Sequence, residues 1–136
     1  VFTYEGDLWL AAADGANPQR LTTHPGNESA AHFSPDGKWI AYTGSYDGTP
    51  DIYIIPATGG EPKRLTYLPS QTTCLGWTPD SRHVVFRSNW GVGPVARDSR
   101  LYKVSLDGTL PVALPVDRGV NCSLIIRDIK SICRTP

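Results

Sequence analysis

One turn, repeated at a fixed interval, constrains this chain more than any other feature. Phe33-Ser34-Pro35-Asp36-Gly37-Lys38-Trp39-Ile40-Ala41-Tyr42 returns 44 residues later as Trp77-Thr78-Pro79-Asp80-Ser81-Arg82-His83-Val84-Val85-Phe86. Pro35 presets φ for the first corner, Asp36 can bond backbone two residues on, and Gly37 accepts positive φ without steric penalty. Pro79 and Asp80 hold the same places in the second copy, with Ser81 where the first has Gly37. Apolar residues alternate on both sides of the first turn: Ala31 and Phe33 before it, Ile40 and Tyr42 after it. That alternation reads as a β-hairpin with one buried face.

The repeat extends well beyond the turn. Asp7-Leu8-Trp9-Leu10 matches Asp51-Ile52-Tyr53-Ile54, and Pro18-Gln19-Arg20-Leu21-Thr22 matches Pro62-Lys63-Arg64-Leu65-Thr66. A third copy follows at an offset of 49, with Leu101-Tyr102-Lys103-Val104, Asp107-Gly108 and Pro111-Val112-Ala113-Leu114. The extra residues fall in Ser88–Ser99, rich in Gly, Pro and polar residues, as expected of a loop insertion on one rim. The strands expected are Ser29–Phe33, Trp39–Ser45, Asp51–Ile55 and Lys63–Thr66, then Thr72–Trp77, His83–Arg87, Arg100–Ser105 and Pro111–Leu114. Four antiparallel strands at a period in the mid-forties match a propeller blade. A β-sandwich of similar strand count gives no reason for one turn chemistry to recur at one spacing. The expected fold is therefore all-β: one partial β-propeller domain over 1–136, about three blades, with units near 7–50, 51–100 and 101–136.

Both ends fall within a repeat. Val1–Tyr4 reads as a second strand, followed by Asp7–Ala11 and Gln19–Thr22 as third and fourth. At the other end, Ile125–Thr135 can be laid on Phe33–Thr43, but Arg127 replaces Pro35 and Ile129 replaces Gly37. A β-branched residue is poorly suited to positive φ. Either this hairpin is built differently or the sequence after Gly119 leaves the repeat.

Composition narrows the function classes. The formal net charge is zero, which favours neither nucleic acid nor an anionic membrane surface as partner. No apolar run is long enough to span a bilayer, and no signal-peptide pattern is visible. A chain that begins at Val1 and contains no methionine is expected to lack an upstream part that was removed or never included. The cytoplasm is the expected compartment, or the periplasm if an upstream signal has been removed. Cys74, Cys122 and Cys133 form no CxxC pair, which argues against zinc and thioredoxin-type redox chemistry. They read as small buried apolar residues, with a Cys122–Cys133 pairing across a hairpin as the alternative.

The combination Asp-Leu-Trp, Arg-Leu-Thr, Phe-Ser-Pro-Asp-Gly-Lys and Ile-Ala-Tyr resembles the propeller repeat of TolB and of tricorn-type proteases, most closely the opening blades of a tricorn N-terminal propeller. Asp7–Arg20, His24–Tyr42, Asp51–Leu68 and Gly76–Ser88 carry the resemblance, which reaches weakly to Arg118-Gly119. The last seventeen residues do not look like the family. The resemblance implies a six-bladed propeller, followed in the full enzyme by a second propeller, a PDZ-like domain and a serine-protease core that this chain is too short to hold. It further implies a propeller that guides peptides and organises assembly without cutting bonds.

Read on their own terms, the residues mark no catalytic, cofactor or metal site. A nucleophilic triad needs Ser, His and a carboxylate together. His24 sits in a Thr-His-Pro-Gly turn, His32 on the polar-alternating side of a strand, and His83 after the second turn, toward a rim. No GxSxG, HExxH or Walker pattern occurs. Asp36 and Asp80 recur with the turn and so read as its structural caps, alongside Pro35, Gly37 and Pro79. Arg20 and Arg64 read as strand residues whose cations meet carboxylates of a neighbouring blade. Asn27-Glu28-Ser29 and Asn121-Cys122-Ser123 match a three-residue glycosylation pattern that arises often by chance.

Among the aromatics, Tyr46 and Trp90 stand apart, because both lie in the loop after a second strand and should reach the same rim. With Asp47, Asn89 and Arg97 they form the expected ligand-contact rim; the plainer reading makes them anchors lying over the blade edge. Three functions follow: a non-enzymatic module binding protein or peptide, a fragment of a serine peptidase needing other domains, or a carbohydrate-binding propeller. Strand counting adds one expectation. The C-terminal strands near Asn121–Ile126 and Ser131–Arg134 would complete, with Asp7–Ala11 and Gln19–Thr22 of another copy, a mixed blade. Three blades cannot close a ring, and two chains give six, so a homodimer is expected.

Overall fold

The computed structural model describes residues 1–46, 48–91 and 99–114. Eleven strands are described: β1 (Phe2–Tyr4), β2 (Asp7–Leu10), β3 (Gln19–Arg20), β4 (Asn27–Phe33), β5 (Trp39–Ser45), β6 (Asp51–Pro56), β7 (Lys63–Arg64), β8 (Thr72–Trp77), β9 (His83–Ser88), β10 (Arg100–Ser105) and β11 (Val112–Ala113). They form three antiparallel sheets in simple up-and-down order: β1-β2-β3, β4-β5-β6-β7 and β8-β9-β10-β11. The sheets stack in sequence order, with β2 and β4 in contact and β4 against β8. This is the arrangement of consecutive propeller blades. The Asn121–Ile126 and Ser131–Arg134 segments, Cys122, Cys133, Asp47 and Arg97 lie outside the described residues.

Hairpin register and turn chemistry fit each other. Gly37 has φ 75° and Ser81 φ 61°, so both turns use the left-handed conformation at the same place. Gly37 N–H donates to the Ser34 carbonyl (2.9 Å) and Ser81 N–H to the Thr78 carbonyl (3.0 Å). Asp36 Oδ1 accepts from Lys38 N–H (3.1 Å) and Asp80 Oδ1 from Arg82 N–H (3.0 Å), closing the turns as their positions suggested.

The hairpin does not have a single buried face. Ile40 through Gly44 are all buried, whereas Phe33 is 41% exposed. Two causes combine. First, β5 is an inner strand of the middle sheet, so neighbouring sheets cover both its faces. Ile40 and Tyr42 join Leu8, Tyr53 and Ile55 between the first and second sheets, while Ala41 joins Ile52, Ile54, Trp77 and Phe86 between the second and third. Second, β4 carries a bulge between Ser29 and His32, with Ala30 at φ 53°, which breaks its alternation. The same irregularity recurs in β8 between Cys74 and Gly76. The shift also leaves His32 half-buried rather than on an open polar face.

The outer strands are shorter than expected, ending at Arg20, Arg64 and Ala113. The threonines beyond the first two turn to side-chain duty: Thr22 Oγ1 accepts Leu8 N–H and Thr66 Oγ1 accepts Ile52 N–H, each at 2.9 Å. Among the described residues, the ion pairs of both arginines lie within one sheet rather than across blades. Arg20 pairs with Asp7, and Arg64 with Asp51, across strands of one sheet. The antiparallel register sets Arg20 opposite Trp9 and Arg64 opposite Tyr53, so each Arg reaches diagonally to the Asp two residues earlier on the neighbouring strand.

Candidate binding rim

Tyr46 follows β5 and Trp90 follows β9, equivalent strands of neighbouring sheets. Both rings turn inward over their own sheet. Tyr46 meets Tyr53 edge-on at 4.7 Å between centroids, and Trp90 lies 5.4 Å from Tyr102. Tyr102 donates its hydroxyl to the Trp90 carbonyl (2.5 Å), and Ser88 Oγ accepts Trp90 N–H (3.1 Å). These rings are half-buried anchors at the end of each blade; Asn89 beside them is exposed.

Under Tyr46 lies a carboxylate that sequence reading passes over. Glu28 is 1% exposed. Its Oε2 accepts the Thr22 hydroxyl (2.5 Å), and its Oε1 accepts the Tyr46 hydroxyl (2.6 Å). Tyr42 in turn lies 3.0 Å from Tyr46, oxygen to oxygen. With Leu8 N–H donating to Thr22, the hydrogen bonds run from both sheets toward Glu28 and tie the first sheet to the second. Burial, and for Tyr46 its bonds to Glu28 and Tyr42, push both phenols well above their ordinary range, so neither is an acid near neutral pH. The sign of this clasp in the sequence is a Glu in β4 where the next repeat has Thr72.

His24 is exposed, lies tilted against Tyr46 with ring centroids 3.9 Å apart, and accepts Gly26 N–H at Nδ1 (3.1 Å). His32 gives its carbonyl to the Trp77 indole N–H (2.9 Å), and burial lowers its pKa. His83 begins β9 and bonds through its backbone to Thr78. The three histidines thus sit in a turn, in strand β4 and in a hairpin, each with a local role. The recurring carboxylates are likewise engaged: the Ser34 and Thr78 hydroxyls hold Asp36 and Asp80 below the usual carboxylate range, and Ser105 does the same for Asp107 in the third repeat. Cys74 is buried, which pushes its thiol up to about 12 and leaves it protonated. No group of three or more His, Cys, Asp or Glu among the described residues could hold a metal ion.

Comparison with known proteins agrees with this architecture. The chain is 37% identical over 52 residues to tricorn protease homolog 1 of Streptomyces coelicolor, a match covering 38% of this chain and 5% of that protein. The structure of putative TolB from Agrobacterium tumefaciens superposes with a TM-score of 0.66 at 25% identity, covering 79% of this chain and 40% of that one. The crystal structure of the tricorn protease gives a TM-score of 0.66 at 28% identity, covering 80% of this chain and 11% of that one. The chain therefore spans well under half the length of each. The model of the tricorn protease N-terminal beta propeller domain matches residues 1–135, so the match includes the tail that by its own motifs looks unlike the family. This chain belongs to the family of tricorn protease N-terminal beta propeller domains.

Proposed function

We propose that this chain is a non-enzymatic propeller module that holds protein or peptide segments at the rim bearing Tyr46, Asp47, Asn89, Trp90 and Arg97. The observation that carries this reading is where the repeat places its polar groups. Asp7, Asp51, Asp36, Asp80 and Asp107 are each engaged within their own sheet or turn, so the chemistry common to the repeats is a frame. What varies between repeats lies in the loops after the second strands, and loops on a rigid scaffold are where binding is placed. Asn89, exposed beside the half-buried Trp90, offers a polar contact next to an aromatic one, suited to extended backbone. Closure to six blades by two chains belongs to the same proposal.

Fluorescence anisotropy with labelled β-casein, an unfolded probe, tests the reading directly, with a gel of the same mixture as control. Saturable binding with intact casein is the expected result, weakened several-fold in Asn89→Ala. Cleavage of casein by the chain alone, or no binding, overturns it.

A further inference from the structure

We propose that His24 and Asn27, at the corner where the first sheet meets the second, form a docking point for the main chain of an extended peptide. The His24 Nε2–H donates to a peptide carbonyl, and the Asn27 amide pairs with the peptide group beside it. This rests on the rim-binding reading above and carries that rim across the first junction.

The corner is assembled from three segments. His24 lies in the connection from β3 to β4, Asn27 opens β4, and Tyr46 follows β5. Register sets Asn27 against Ser45, the residue before Tyr46. Gly26 and Gly6 let these segments close on one another. A Cβ on Gly26 would fall 2.5 Å from the Ser45 carbonyl oxygen and 2.6 Å from the Tyr46 ring, and one on Gly6 would fall 2.5 Å from Asn27 Oδ1. The His24 ring is thereby set against Tyr46, whose hydroxyl is bound to Glu28. The first sheet turns from β1 to β2 through Glu5-Gly6 alone, where the second sheet uses residues 46–50, so His24 and Asn27 stay open to solvent.

This setting decides where the imidazole carries its proton. Gly26 N–H donates to Nδ1 (3.1 Å), so Nδ1 offers its lone pair and the proton of the neutral ring sits on Nε2. Among the described residues Nε2 has no hydrogen-bond partner. A donor on a ring held by both Gly26 and Tyr46 is therefore presented to solvent. The Asn27 side chain, laid against Gly6, likewise makes no hydrogen bond among the described residues. A side-chain amide has the same donor and acceptor as a peptide group, so it suits main chain whatever side chains that chain carries.

The next repeat separates packing from binding. At the 44-residue offset Asn27 becomes Gln71, also an exposed amide, but His24 becomes Leu68, which is 6% exposed and belongs to the apolar cluster against which Trp90 packs. Both junctions lay a side chain of the connecting loop near the ring after the second strand. Leucine serves that packing in the second junction; in the first, the same place holds a polar donor.

Fluorescence anisotropy with labelled β-casein, run beside thermal melting, tests this on His24→Leu, His24→Gln and Asn27→Ala in the 136-residue chain. His24→Leu installs the residue that the next repeat uses. It and Asn27→Ala are each expected to raise the casein dissociation constant roughly two- to tenfold, the worth of one neutral hydrogen bond, with unchanged melting. His24→Gln, whose amide N–H₂ reaches the place of Nε2, is expected to stay within about twofold of wild type. Nitrogen-15 NMR of the ring at about pH 8, where imidazole is neutral, is expected to show the proton on Nε2 and a shift of that nitrogen when casein is added. Should a variant lose its fold, the NMR shift on the wild-type chain decides. Undiminished binding by His24→Leu or Asn27→Ala, equal weakening by His24→Leu and His24→Gln, or a proton on Nδ1 overturns the docking point. If Asn89→Ala weakens casein binding and His24→Leu does not, this point alone falls; a wild type that ignores casein overturns the whole rim reading with it.

Discussion

Ser81 occupies a left-handed position that Gly37 fills in the preceding turn, and it uses its side chain there. Its hydroxyl accepts Asp36 N–H (3.1 Å), linking the turns of neighbouring sheets. The strain of positive φ on a residue with a Cβ, about 1–2 kcal/mol, is thus partly offset by a bond worth about 0.5–1.5 kcal/mol. Ser81→Ala keeps the strain and loses the bond, so thermal or urea unfolding should show a loss of about 1 kcal/mol. Gly37→Val should cost about 1–2 kcal/mol through backbone conformation alone, because no neighbouring atom lies within 4 Å of the new Cβ. Asp51 is fully buried and accepts from Arg64, Thr66 (2.7 Å) and Leu68 N–H (3.1 Å). Asp51→Ala should therefore cost about 3–5 kcal/mol, and clearly more than Asp7→Ala, whose partner Arg20 is 47% exposed. Equal losses in urea titrations would contradict this ranking. His32 supplies a pH signature. Burial lowers its folded-state pKa, so the unfolded chain binds its proton more readily. The stability of neutral His32 is fully present above the unfolded value of about 6.5 and is lost as pH falls from there through the lower folded-state value. Melting temperature should drop between pH 7.5 and 5, and His32→Gln should flatten that drop.

At the scale of elements, the two inter-sheet junctions share their apolar packing but differ in polar chemistry. The second and third sheets are joined without a carboxylate among the described bonds: Cys74 N–H to Thr43 Oγ1 (2.8 Å), the Trp77 indole to the His32 carbonyl, and the Lys63 ammonium to the Leu106 carbonyl (2.7 Å). The first and second are joined through the Glu28 carboxylate. Glu28→Gln places an amide N–H₂ against one of two hydroxyl donors, which should destabilise by about 1–3 kcal/mol. Hydrogen exchange should locate the loss in β2 and β4 and spare β9 and β10; a uniform loss would contradict the clasp. The strands themselves were legible because β-branched and aromatic runs alternate with Pro-Asp and Asp-Gly turns. The bulges were not. Ala30 carries no conformational signature, and Gly76, at φ 146°, shows one only in the second repeat. Without the bulge, alternation predicts the wrong side for Phe33 and His32.

For the whole molecule, the 44-residue interval was enough to set sheet number, strand order and stacking, because one blade's turn chemistry and register recur in the next. Partnerships of long polar side chains were less legible. Nothing in the sequence marks Asp51, thirteen residues earlier in the same sheet, as the partner of Arg64. The rim was legible only as position: Tyr46 and Trp90 follow equivalent strands, but their inward packing depends on Tyr53 and Tyr102, supplied by the strand beyond. The central claim is that the repeated residues build a frame while the unrepeated rim binds. Its most direct test is the casein dissociation constant, measured well below the melting temperature and beside that temperature, for Asn89→Ala and Gly37→Val. Weaker binding with unchanged melting is expected for Asn89→Ala, and lower melting with unchanged binding for Gly37→Val. The reverse pattern, or casein cleaved by the isolated chain, would contradict it.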